Sequence, residues 1–159
     1  MKKILIPIIL LLSITALAMP QKKKCKKVKQ KETITKVEYE TFARRGRTEV
    51  AITKDSAISI GRTEKKYILM TAEKWNAVAK SLSAVKLSAI PSWKSPTHKR
   101  EYDGASHCKI SVSTKNNKYE SQYFDNGTPM KQLQSLYDAI DNIRNDIEAN
   151  GKEYILKAE

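Results

Sequence analysis

Apolar and polar positions alternate in short runs over most of the chain, and twice the period lengthens to three and four residues. Alternation is the mark of a strand with one buried face, and the longer period marks an amphipathic helix. The run Val37-Glu38-Tyr39-Glu40-Thr41-Phe42 is rich in β-branched and aromatic residues and predicts a first strand. Arg44-Arg45-Gly46 turns the chain into a second strand from Thr48 to Thr53, with Val50 and Ile52 on one face. Lys54-Asp55 leads to a third strand, Ala57 to Arg62, with Ile58 and Ile60 inward and Gly61 marking a bulge or bend. Tyr67 to Leu69 is a short further strand or a continuation of the third.

A helix follows. Thr71 is its N-cap, Glu73 sits in the first turn, and Trp75, Val78, Ala79, Leu82 and Val85 form the apolar stripe. It ends before Pro91, because the residue ahead of a proline avoids helical geometry. Pro91 to Ser106 reads as a long loop. Cys108 to Phe124 then reads as a hairpin about Asn116-Asn117, since Asn tolerates the positive φ of a two-residue turn. In that register Lys115 faces Lys118, Val112 faces Ser121 and Ile110 faces Tyr123 on a mostly apolar face. Ser113 faces Glu120, Ser111 faces Gln122 and Lys109 faces Phe124 on a wet one. Thr128 and Pro129 open a second helix whose stripe is Met130, Leu133, Leu136, Tyr137, Ile140, Ile143 and Ile147, and Asn150-Gly151 stops it.

The expected fold is α+β: a largely antiparallel sheet of 4–6 strands, in the order βββαββα, with two amphipathic helices packed on one face. The domain spans residues 32–151, and residues 152–159 form a C-terminal tail.

The first 18 residues stand apart. Lys2 and Lys3 precede an apolar run from Ile4 to Leu17, and Ala16-Leu17-Ala18 is a cleavage site of the A-x-A type. Residues 1–18 are thus expected to be a signal peptide, and the chain is expected to be exported, periplasmic or secreted. The apolar run is too short for the roughly twenty residues of a spanning helix, and no later segment spans a bilayer. Lys22-Lys23-Lys24 ahead of Cys25 does not fit a lipidation site.

The net charge of +13 divides unevenly: two of these charges lie in the signal segment and seven in residues 19–31, which leaves +4 for residues 32–159. The seven are Lys22, Lys23, Lys24, Lys26, Lys27, Lys29 and Lys31, with no acid among them. Such a run reads as a disordered leader, either a solvated spacer or a contact for anionic envelope components such as lipid head groups or glycans. Nucleic acid is disfavoured as a partner in that compartment.

Two cysteines in an exported chain permit a Cys25–Cys108 disulfide. A buried Cys108 serving as a small apolar residue is an equal reading.

Chemistry is sparse. His98, Asp103, His107 and Cys108 are the one concentration of reactive side chains, and a hydrolase or metal enzyme would have to be built on them. Neighbours on a strand point to opposite faces, which separates His107 from Cys108. Two histidines and one cysteine fall short of a metal set. No glycine motif cradles a phosphate, so neither a cofactor nor a catalytic residue is expected. The long loop differs in mixing aromatic and cationic residues, namely Trp93, His98, Lys99, Arg100, Tyr102 and Asp103, which are the candidate contact residues.

Tyr102-Asp103-Gly104-Ala105, Tyr119-Glu120-Ser121, Phe124 to Pro129 and the Thr71 to Trp75 helix start resemble a pattern of small exported bacterial proteins of unknown function. The resemblance rests on turn and cap residues over about residues 35–147 and implies a shape, with no catalytic residues. The expected function is that of a non-enzymatic binding domain for a protein or an envelope component.

Overall fold

The computed structural model describes residues 32–44 and 46–153. Residues 1–31, where the signal peptide and the lysine-rich leader with Cys25 are expected, and residues 154–159 lie outside the described residues. Strands β1 (Ile34–Ala43), β2 (Gly46–Thr53), β3 (Ser56–Ile60) and β4 (Lys65–Leu69) form an antiparallel meander. Helix α1 (Ala72–Ser81) follows, then β5 (His107–Thr114), β6 (Lys118–Glu120), β7 (Phe124–Asp125), helix α2 (Gln134–Asn150) and β8 (Lys152–Glu153). The sheet runs β6-β5-β1-β2-β3-β4-β8, with β7 continuing beside β5, and every pairing is antiparallel.

The α+β class and the antiparallel sheet agree with the sequence reading, but the sheet has eight strands instead of 4–6. β4 is a strand in its own right, and the first residues past α2 pair with it as β8.

The core lies on one sheet face, where Val37, Tyr39, Val50, Ile52, Cys108, Ile110 and Val112 meet Val78 and Leu82 of α1 and Leu136, Ile140, Ile143 and Ile147 of α2. The α2 residues of the second stripe face it as their spacing demands, whereas α1 stops at Ser81, short of the expected Val85, and Pro91 lies inside a 3₁₀ turn over Leu87–Ser92 instead of following the helix. Thr71 caps α1 by accepting from the Lys74 N–H at 3.3 Å.

Four expectations need correction. In β3 the inward residues are Ala57 and Ser59. Ile52 pairs with Ala57 and Val50 with Ser59, so the parity of β2 puts Ile58 and Ile60 on the open face. The hairpin turns at Lys115-Asn116, with Val112 opposite Tyr119 and Ser113 opposite Lys118, and neither asparagine takes a positive φ. Thr114 decides this: its N–H donates to the Asn117 carbonyl at 2.8 Å, and its hydroxyl accepts from the Asn117 N–H at 3.1 Å. Further along, the ladder gains one residue between Ser121 and Phe124, which turns Phe124 into the core and Tyr123 out. Finally, Thr128 does not cap α2. A 3₁₀ turn over Lys131–Leu133 leads into it, with Leu133 at the N-cap position.

Helix α2 stops where expected, and Gly151 is required there for lack of space. A Cβ at that position would lie 2.2 Å from the Ile147 carbonyl oxygen, to which the Gly151 N–H donates at 2.8 Å. Gly151→Ala is expected to cost about 1–3 kcal/mol, the range of an overpacked site. It should also loosen the β4–β8 pairing, read as a lower melting temperature with faster amide exchange at Lys66 and Tyr67.

Candidate functional site

The β1–β2 turn, the β3–β4 turn and the segment entering β5 meet at one end of the sheet. β1 presents Val37 and Tyr39 to the core, so Glu38, Glu40 and Phe42 face the open side. Phe42 pairs with His107, and their ring centroids lie 6.2 Å apart. Tyr123 sits edge-on to His107 at 6.0 Å, with the Lys109 ammonium 5.6 Å from its ring centre. This aromatic row is uncovered, with Phe42 at 52 % and Tyr123 at 43 % exposure. Beside it lies an open cleft of about 410 Å³ bounded by Phe42, Arg44, Asp103, Gly104 and His107.

Asp103 is the one described non-glycine residue with positive φ, at 57°. It ends a 3₁₀ turn over Lys99–Tyr102 and binds Arg44 across the cleft at 2.6 Å. Strain of this kind collects where the surrounding structure imposes a backbone position.

The start of the same turn is anchored by Asp125. This carboxylate is 1 % exposed and accepts from the Lys99 N–H at 2.7 Å, the Arg100 N–H at 3.0 Å and the Arg100 guanidinium at 3.1 Å. Burial alone would raise its pKa, but the Thr97 side chain, the Arg100 amide and guanidinium and the Lys99 amide outweigh it and hold it well below the usual carboxylate range. Arg100 also donates to the Thr97 carbonyl at 2.7 Å and to the Ser95 hydroxyl at 3.1 Å. The segment from Pro91 to Ser106 is thus pinned and partly 3₁₀, unlike the structureless loop that its composition suggests.

The loop residues therefore divide. Arg100 is an internal strut and Trp93 packs half-buried against the core. His98, paired with Glu101 at 3.0 Å, is exposed, as are Lys99, Tyr102 and Asp103.

Of the four reactive residues, Asp103 and His107 border the same cleft, and Cys108 lies apart from them. Cys108 is fully buried on the core face, whereas His107 lies on the open face. Tyr39 Oη donates to Asn126 Oδ1 at 3.0 Å, which leaves the Cys108 thiol, also 3.0 Å away, to donate to the phenol. Tyr137 shares the same Asn126 oxygen at 3.1 Å and accepts from the Gly127 N–H at 3.0 Å. Burial raises the pKa values of both the Cys108 thiol and the Tyr39 phenol, so the sulfur stays protonated and is a poor nucleophile. Cys108 is a free thiol, and its suggested partner Cys25 lies outside the described residues. Among the described residues no three His, Cys, Asp or Glu side chains are grouped as metal ligands. No described helix is long and apolar enough to cross a membrane.

The remainder of the open face is a lattice of opposite charges. Lys118 bridges Glu38 at 3.3 Å and Glu120 at 3.0 Å, Arg47 binds Glu40 at 2.9 Å, and Ser111 is buried beneath, donating to Glu120 at 3.2 Å. Partial burial raises the Glu38 carboxyl, but Lys36 and Lys118 outweigh that and lower it. This lattice satisfies itself. The aromatic row has no such partners, and sequence reasoning passed over Phe42, Arg44, Tyr123 and Asp125. An aromatic at the wet parity of β1, after Glu38 and Glu40, was the available signal for Phe42.

Compared with models of protein families, with curated proteins and with solved structures, the chain matches none.

Proposed function

We propose that this chain is an exported binding domain that works by contact, and that its contact surface is the aromatic and cationic end of the open sheet face. The observation that carries this reading is the row Phe42–His107–Tyr123, left uncovered beside a cleft while Glu38, Glu40, Lys109, Lys118 and Glu120 on the same face are paired with one another or with Arg47. Contiguous exposed rings are a feature that folded chains keep for recognition. The burial of Cys108 on the core face, away from Asp103 and His107 at the cleft, and the pairing of His98 with Glu101 favour contact over a hydrolase or metal enzyme built from these four. The partner is a protein or an anionic component of the envelope.

The test is capture from envelope extracts by wild type and by Phe42→Ser/Tyr123→Ser. Removing two contact aromatics is expected to weaken retention of whatever wild type holds by about tenfold or more, with the thermal transition unchanged. Equal recovery by both proteins would remove this surface from the function.

A further inference from the structure

The aromatic row adjoins a concentration of charge. The pairs Ala43–Gly46 and Ile60–Lys65 close the β1–β2 and β3–β4 hairpins at the same end of the sheet. Over residues 42–47 and 60–65 the sequence holds Arg44, Arg45, Arg47, Arg62 and Lys65 against Glu64 alone, a net +4. That equals the whole net charge of residues 32–159, so the charges elsewhere cancel. The two turns touch: a Cβ on Gly46 would lie 3.9 Å from the Arg62 side chain. Arg47 is committed to Glu40 and Glu49. Arg62 is exposed, and Arg44 is held only by Asp103 in an ion pair open to water on both sides, of the kind worth little and readily exchanged. Large apolar groups stand among these cations: Tyr102 is 83 % exposed, Phe42 52 % and Ile60 41 %.

From this juxtaposition we propose, resting on the contact reading above, that the rim formed by Arg44, Arg62, Phe42, Ile60 and Tyr102 seats on the anionic phospholipid head groups of a bilayer. The arginines meet lipid phosphates, for which a guanidinium is a geometric match. The rings and Ile60 enter the interfacial layer, where such side chains gain most. A polyanion in water, whether glycan or acidic protein surface, offers Tyr102, Phe42 and Ile60 nothing comparable to enter. The seven leader lysines supply a second, less specific attraction of the same sign.

The experiment is co-sedimentation of the purified chain, leader retained, with phosphatidylcholine vesicles with and without about one-third phosphatidylglycerol. Arg44→Glu/Arg62→Glu is expected to lower the partition coefficient on anionic vesicles at least tenfold at low salt. Tyr102→Ser/Phe42→Ser is expected to remove the share of binding that persists at high salt. The control Lys115→Glu/Lys131→Glu makes the same change in net charge at exposed positions outside these two turns, and should retain nearly all binding. The proposal is overturned if the control loses as much as the rim variant, because net charge or the leader is then sufficient. It is also overturned if all forms bind neutral vesicles equally, or if the chain ignores vesicles and is retained on immobilised heparin or by an acidic protein through the same residues. In that last case the contact surface stands and only its lipid partner falls. Loss of both vesicle binding and rim-dependent capture would overturn the contact reading with it.

Discussion

Replacing Asp125 with alanine is expected to destabilise the domain by about 3–5 kcal/mol, the cost of removing one partner from a buried ion pair. The substitution takes the buried carboxylate from the Arg100 guanidinium, whose side chain is only 11 % exposed and keeps only the half-exposed Glu101 at 3.6 Å as an ionic partner, and leaves the Lys99 and Arg100 amides without their acceptor. The segment before β5 should come loose with it. The measurement is chemical denaturation of wild type and variant, with limited proteolysis between residues 93 and 106. A loss below about 1 kcal/mol, in the range of a solvated pair, would mean that the clamp does not organise this end of the fold.

The same carboxyl sets an acid limit. Its pKa in the folded state lies below the ordinary 3.8, so the unfolded chain binds the proton more readily. The stabilisation is complete above the ordinary value and is lost as the pH falls below it toward the depressed folded value. Asp125→Asn should be less stable than wild type at neutral pH and show a shallower decline on acidification through that window.

The second large effect sets two adjacent residues against each other. Phe124→Ala is expected to cost about 3–5 kcal/mol, since its ring is fully buried and meets Tyr137 edge-on at 6.1 Å. Tyr123→Ala, whose ring lies on the open face, should cost under about 1 kcal/mol. Urea midpoints of the two variants decide it. A ladder without the extra residue after Ser121 would reverse the order, because a one-residue slip exchanges the faces of a strand.

That contrast also shows where a sequence stops being informative. Features fixed by residues a few positions apart could be read directly: the Thr71 cap, the stripes of both helices and the stop at Gly151. Features fixed by a distant partner could not. Ile58 and Ile60 look inward by hydrophobicity, and only the pairing of Ala57 with Ile52 shows that they are not. The hairpin centre moved because the Thr114 hydroxyl offered the turn amides a nearer acceptor than the asparagines did. Asp125 looks like a turn residue before Asn126-Gly127, and its role depends on amides 25 and 26 positions earlier in the chain. The aromatic row needs β5 beside β1, a crossover that no local pattern encodes.

Among the described residues, both borders of the sheet carry strands of two or three residues: Lys118-Tyr119-Glu120 on one side and Lys152-Glu153 on the other. Short, charge-bearing borders give a second molecule little main chain to latch onto. A domain dense in β-structure is thereby kept from templating fibres, and can be held at high local concentration without seeding its own precipitation.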